Sequence, residues 1–194
     1  MRLRVAGAVA ALVLGPLLAG CGPSGGTTGA AGAAGAAAPP PADRARGQLQ
    51  ELVDGTTSAL TPAVRFADDA FRSVPHENAN RDNDGTAQLT LRRYVLTKVG
   101  EANRPRLLEQ VKAYWTGRGW TLTENSAYAA GARTADGTGV TVTIGVPGNV
   151  TVAATARVKD PGATEPFGPA PSPLPTAPGG GPDTVPRFED PAWS

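Results

Sequence analysis

A short polar segment holds the best candidate for metal chemistry in the chain. Asn80, Asp82 and Asp84 alternate before Gly85, which is how oxygen ligands are spaced in the first half of a calcium-binding loop. Counted from Asn80, however, the twelfth position is Leu91, where such a loop needs a bidentate carboxylate. We therefore interpret the segment as a polar turn that leads into a strand, with calcium binding as the alternative. No other metal site and no cofactor is predicted.

One histidine and two carboxylate pairs are the remaining candidates for acid or base chemistry. His76, the only histidine, could act as a general base, but a hydrolase also needs a nucleophile or a metal, and the zinc motif His-Glu-x-x-His is absent. The pairs Asp68–Asp69 and Glu51–Asp54 could suit glycoside cleavage, in which two acids flank the bond that breaks. Acids in a turn or on the wet side of a helix explain both pairs without chemistry. We predict no catalytic residue and keep a cell-envelope hydrolase that uses acidic residues as an alternative.

The single cysteine follows an apolar N-terminal run. Arg2 and Arg4 precede residues 5–19, which are apolar apart from glycine and one proline, and this is the layout of a secretory signal peptide. The run is shorter than the roughly 20 residues that cross a bilayer. Residues 18–21, Leu-Ala-Gly-Cys, resemble the lipobox of bacterial lipoproteins.

That resemblance implies a location for the chain. It implies that residues 1–20 are removed, that the Cys21 sulfur carries a diacylglyceryl group, and that the new amino group is open to acylation. Two or more fatty chains anchor a protein stably, so the resemblance places the mature chain on the outer face of the cytoplasmic membrane. A reactive or metal-binding thiol is the alternative, but the sequence offers no second cysteine to complete such a site.

Composition divides the mature chain into three parts. Residues 21–43 begin with the lipidated cysteine and continue almost entirely as Gly, Ala, Pro, Ser and Thr, which predicts a disordered tether. Residues 160–194 include ten prolines, which predicts a disordered tail. Between them, residues 44–159 are long enough for one folded domain.

Charge follows the same boundaries. The domain has fifteen lysines and arginines against eleven acids, whereas the tail has one arginine against five acids. The basic domain could lean on anionic lipid or wall polymer, the tail could fold back on it, or the two could be unconnected solvated surfaces. Neither a dense basic stripe nor an aromatic stacking motif is present, so no nucleic-acid partner is expected.

Hydrophobic spacing predicts two helices. Apolar positions recur at intervals of three and four over residues 44–60, which end before Pro62, and again over residues 103–116. Tyr114, Trp115 and Trp120 follow the buried stripe of the second helix and its continuation. We expect these three aromatic residues in the core.

Alternating apolar residues predict a sheet for the helices to cover. Residues 140–146 and 150–158 alternate on either side of Pro-Gly-Asn, which predicts a hairpin, and Asp136-Gly137 predicts an earlier turn. Together with a strand over residues 87–99, these segments predict an α+β fold with a mostly antiparallel sheet of four to five strands and two helices on one face.

The strand over residues 87–99 carries the candidate binding residues. Arg92, Tyr94 and Lys98 alternate on one face, and a tyrosine flanked by cations could bind an anionic polymer or a protein. Ordinary solvated sheet surface is the alternative. On the opposite, inward face Arg93 interrupts the apolar pattern, which suggests a sheet edge or a bulge.

Two segments of this domain, residues 90–99 (TLRRYVLTKV) and 114–120 (YWTGRGW), resemble small actinobacterial lipoproteins that have no assigned activity. The resemblance implies an anchored extracytoplasmic domain and carries no catalytic residue. Taken together, the sequence favours a non-catalytic binding or accessory module of the cell envelope. Its expected partners are the membrane, through lipid on Cys21, and a cell-envelope polymer or protein; a module for a small ligand or calcium is a further alternative.

Overall fold

A computed structural model describes residues 38–146, 148–162 and 166–194. The signal peptide predicted at 1–20, Cys21 and most of the tether predicted at 21–43 lie outside the described residues. Among the described helices, none is both long enough and apolar enough to cross a bilayer.

Two α-helices form one layer of the domain. Helix α1 spans Ala42–Ser58 and α2 spans Arg104–Gly117, preceded by a 3-10 turn at Glu101–Asn103. The predicted helices agree with these bounds to within two residues. The predicted stripes are the faces that these helices bury.

Seven strands form the other layer, an open antiparallel sheet with the order β1-β3-β7-β6-β5-β4. Strands β1 and β2 follow one another along the same edge of β3. The strand bounds are β1 Phe66–Asp68, β2 Arg72–Glu77, β3 Asn83–Val95, β4 Thr121–Asn125, β5 Ala129–Arg133, β6 Gly139–Ile144 and β7 Val150–Lys159.

The pairing of β6 with β7 confirms the hairpin that the alternating apolar residues predict. Ile144 pairs with Val150 and Val142 with Val152, so the apolar side chains of β6 and β7 share one face. Both helices pack on that face, and their stripes and the inward residues of the sheet form a single core. The α+β class and the antiparallel sheet are confirmed.

The expected count of four to five strands is wrong because the segment before β3 is also extended. Strand β1 has only three residues and β2 contains Pro75, so neither shows the period-two pattern by which a strand is found. A proline is tolerated there because β2 lies at the sheet edge, where its missing N–H disrupts no central ladder.

Arg93 lies neither at an edge nor in a bulge, which corrects the expectation from sequence. It pairs in regular register with Asp68 of β1 on one side and Val152 of β7 on the other. The apolar pattern breaks at this position because the interior holds an ion pair.

The described part of the tail packs on the domain, which corrects the disordered tail expected from proline content. The Phe167 N–H donates to Phe71 O at 2.7 Å, and the Lys98 N–H donates to Phe188 O at 2.8 Å. Trp193 is fully buried in the core, and its indole N–H donates to Pro62 O at 2.9 Å. Prolines favour extended chain. Here the extended tail forms backbone hydrogen bonds with the edge of the sheet, including a bridge between Pro173 and Asp68 of β1.

Candidate functional site

The face of the sheet opposite the helices, here called the outer face, carries the candidate binding residues. Its side chains alternate with the buried ones along each strand, and each is exposed or half-buried. Its central members are Gln88, Thr90, Arg92 and Tyr94 of β3, Thr151, Ala153, Thr155 and Arg157 of β7, and Thr141 and Thr143 of β6.

Strand register places Arg92 and Tyr94 beside small residues on the outer face. Arg92 pairs with Ala153, which in turn pairs with Thr141 of β6. Tyr94 pairs with Thr151. Since threonine and alanine project only a short distance from the sheet, the two long side chains of β3 stand at one side of a shallow, polar surface. Within the described residues the Arg92 guanidinium has no acidic partner.

Lys98 does not share this surface. The alternation of β3 ends at Val95, after which Leu96 and Thr97 are both buried. Lys98 follows this break and forms an ion pair with Glu189 of the tail. The predicted trio therefore reduces to Arg92 and Tyr94, with Lys98 holding the tail.

Arg157 and Asp84 occupy one end of the outer face. Arg157 Nη2 lies 2.9 Å from Asp84 Oδ2, and the Thr86 hydroxyl donates to Asp84 Oδ1 at 2.6 Å. The hydrogen bonds from Thr86 are the main reason that the pKa of Asp84 is lower than usual, and Arg157 lowers it further. The Asp84 carboxylate is therefore an ionised acceptor that already contacts Thr86 and Arg157.

The three calcium candidates are not gathered into one site. The N–H groups of Asn80 and Asp82 both donate to Asn78 Oδ1, at 2.8 and 3.0 Å. Asp84 lies further along, at the start of β3, with Thr86 and Arg157. Within the described residues no three acidic or imidazole side chains come together in a way that could hold a metal ion. The segment is a turn organised by Asn78, a residue that the spacing argument did not single out.

His76, the candidate general base, lies in the edge strand β2. It is half-buried in β2, between Pro75 and Glu77, where the register with β3 shifts. Asp84 is near enough for the imidazole to contribute to lowering its pKa.

The carboxylate pairs are split by the fold. Asp68 is buried and receives two hydrogen bonds from Arg93, at 2.6 and 3.0 Å, whereas Asp69 pairs with the exposed Arg72. Asp54 also contacts Arg93, at 2.7 Å, while Glu51 is exposed and forms no ion pair with Arg93. Arg93 therefore binds one member of each pair, and the two carboxylates that it binds neutralise a buried cation.

The aromatic residues expected in the core divide into two environments. Trp115 is fully buried, and its indole N–H donates to Thr56 Oγ1 at 3.0 Å. Tyr114 and Trp120 are only half-buried. They line a cleft between α1, α2 and the β5–β6 turn, with a volume of about 360 Å³. The cleft was not predicted, because the spacing of both aromatics is typical of core packing.

Comparison of the chain with protein-family models, with curated proteins and with solved structures finds no match. The functional interpretation therefore depends on the residues described above.

Proposed function

We propose that this chain is a lipid-anchored, extracytoplasmic and non-catalytic binding module of the cell envelope. The observation that carries the proposal is the N-terminal sequence, in which a short apolar run ends in Leu-Ala-Gly-Cys at residues 18–21. Anchoring by fatty chains on Cys21 needs no spanning helix. Such an anchor would hold the domain at the membrane surface, where an exposed face could meet cell-envelope partners.

The outer face is the surface that we propose for binding. Arg92 is exposed and without an acidic partner among the described residues, beside the half-buried Tyr94. A tyrosine ring offers apolar area with a polar tip, and a guanidinium recognises carboxylate or phosphate groups in a planar, two-pronged geometry. These properties favour an anionic envelope polymer or an acidic protein surface as the partner.

The anchor is tested on protein isolated from its native membrane. Mass spectrometry of the N-terminal peptide is expected to find residues 1–20 removed and a diacylglyceryl group on Cys21. A Cys21→Ala variant is expected to move from the membrane fraction to the soluble fraction, while a Ser24→Ala variant stays with the membrane. An unmodified Cys21 would contradict the anchored module.

The outer face is tested separately, by sedimenting the purified protein with isolated cell envelopes. Arg92→Glu is expected to lower the affinity about 10-fold, the effect of losing a charged hydrogen bond, and added salt is expected to weaken binding of the parent protein. Arg44→Glu is the matched control, because Arg44 is an exposed arginine of α1 and the change in net charge is the same. Equal losses in both variants would mean that only net charge matters and that the outer face is not the binding surface.

A further inference from the structure

The cleft lined by Tyr114 and Trp120, here called the aromatic cleft, is a second candidate binding site on the helix side of the molecule. Its volume of about 360 Å³ lies within the range of small-molecule sites, roughly 300 to 1,000 Å³. Residues from α1, α2, the connection between α2 and β4, and the β5–β6 turn line it, among them Gln48, Glu51, Tyr114, Arg118, Trp120 and Asp136.

Neighbouring residues hold the aromatic wall of this cleft in place. The rings of Tyr114 and Trp120 lie nearly perpendicular, at 81°, with their centroids 5.7 Å apart. The Tyr114 hydroxyl lies against the backbone of α1 at Gly55, so closely that a β-carbon there would be only 2.2 Å from it. The Arg118 guanidinium lies 5.9 Å from the centre of the Tyr114 ring. Both rings are half-buried and keep apolar surface available to a ligand.

Polar groups of both charges line the rest of the cleft. The Asp136 carboxylate accepts hydrogen bonds from the Thr134 hydroxyl and from the Thr138 N–H, and these bonds lower the pKa of Asp136. Glu51 is exposed and has no basic partner among the described residues. Arg118 adds a cation. The cleft thus presents fixed acceptors and donors beside an aromatic surface.

We propose that the aromatic cleft binds a saccharide. An organic cation would pair with Glu51 and Asp136 but would meet the Arg118 charge, and an anion would pair with Arg118 but would meet two carboxylates. A sugar hydroxyl both donates and accepts hydrogen bonds, so a neutral polyol can satisfy acids and guanidinium together. The C–H face of a sugar ring can also cover the apolar surface of Tyr114 and Trp120. This inference does not depend on the outer face or on the lipid anchor.

The fluorescence of the purified full-length chain reports on this site. Of its three tryptophans, Trp115 and Trp193 are fully buried and Trp120 is half-buried. Acrylamide therefore quenches Trp120 preferentially. We expect at least one of chitotriose, cellotriose and maltotriose to protect Trp120 from quenching in a saturable manner.

Two conservative variants decide whether protection reflects this cleft. Glu51→Gln and Arg118→Gln are each expected to weaken saccharide binding about 10-fold, because each removes a charged hydrogen-bond partner. Glu101→Gln is the matched control, since Glu101 is also exposed and lies in the 3-10 turn before α2. Its affinity is expected to equal that of the parent chain.

Three results would overturn the proposal. The first is that none of the three trisaccharides protects Trp120 at concentrations into the millimolar range. The second is that protection is the same in Glu51→Gln, Arg118→Gln and the control. The third is that choline or citrate protects Trp120 while the sugars do not, which would assign the cleft to a charged ligand.

Discussion

At the scale of single residues, Arg93 is a buried cation that the carboxylates of Asp54 and Asp68 neutralise. Its side chain is only 2% exposed, and its fork of donors reaches both oxygens of Asp68, one oxygen of Asp54 and the Thr57 hydroxyl. Phe66 covers the guanidinium plane, with its ring centre 3.7 Å away. A buried charge is tolerated only when it is paired and hydrogen-bonded, and Arg93 meets both conditions.

Removing Asp68 is expected to destabilise the domain strongly. Asp68→Ala leaves the buried Arg93 with only its partly exposed partner Asp54, and breaking a buried pair typically costs about 3 to 5 kcal/mol of unfolding free energy. Guanidinium chloride unfolding measures this loss. Asp69→Ala is the control, with an expected cost below about 1 kcal/mol because Asp69 pairs with the exposed Arg72. Equal losses in the two variants would contradict the structural role of Asp68.

Asp136 is expected to make stability depend on pH in the acidic range. Its pKa in the folded chain is below the ordinary value of 3.8, mainly because the Thr134 hydroxyl donates to it. The ionised carboxylate therefore stabilises the fold above pH 3.8, and this contribution is lost as pH falls through the lowered pKa. Melting temperatures measured across this range should fall more steeply for the parent chain than for Asp136→Asn. Parallel profiles would refute the assignment, since Asp84 and Asp160, whose pKa values are also lowered, are present in both proteins.

At the scale of elements, two glycines in the same helix should respond in opposite ways to an added methyl group. A β-carbon at Gly47 meets nothing within 4 Å, whereas one at Gly55 would lie 2.2 Å from the Tyr114 hydroxyl. Gly47→Ala is expected to stabilise the domain by about 0.5 to 1 kcal/mol through helix propensity. Gly55→Ala is expected to cost about 1 to 3 kcal/mol, because it forces α2 or the Tyr114 ring away from α1.

Thermal unfolding of both glycine variants gives the comparison. The double variant Gly55→Ala/Tyr114→Ala should be more stable than Tyr114→Ala alone, because the ring that clashes with the added methyl group is then absent. If Gly47→Ala and Gly55→Ala stabilised the domain equally, the close approach of the two helices at Gly55 would be refuted.

Elements that carry a long periodic pattern could be predicted from the sequence. The β6–β7 hairpin follows from apolar residues that alternate on both sides of the sequence Pro-Gly-Asn, and both helices follow from their stripes. The edge strands could not be predicted, because β1 has three residues and β2 includes Pro75. Their extended form comes from pairing with β3, which is a tertiary effect.

The candidate sites were predictable only in part. Arg92 and Tyr94 share a face as their spacing of two requires, but Lys98 does not, because the strand ends before it. The aromatic cleft depends on the β5–β6 turn meeting two helices that are distant in sequence. No local pattern encodes that meeting.

At the scale of the whole molecule, the tail completes the core. Trp193 is fully buried, its indole N–H donates to Pro62 O, and the Arg106 guanidinium lies 4.9 Å from its ring centre. Gly100 lies close to the backbone of Ser194, since a β-carbon at position 100 would be only 2.7 Å from it. Proline content pointed to disorder because composition measures average preference, whereas one well-placed tryptophan can order an extended segment.

Trp193→Ala is expected to cost about 3 to 5 kcal/mol of unfolding free energy, the usual effect of removing a large buried aromatic side chain. Hydrogen exchange should also accelerate at Lys98 and Gly100, whose N–H groups donate to tail carbonyls. Val185→Ala is the control, because the Val185 side chain is 61% exposed and should change neither measurement. Unchanged exchange at both amides in Trp193→Ala would mean that the tail does not depend on this anchor.

The distance along the chain between Pro62 and Trp193 also determines when, during translation, the native packing can be completed. The two residues joined by the indole hydrogen bond are 131 positions apart. A ribosome that adds about 5 to 20 residues per second needs on the order of 10 s to make the stretch between them. Throughout that interval the core position that the Trp193 side chain fills stays empty. The nascent chain therefore cannot complete its native packing until that residue emerges.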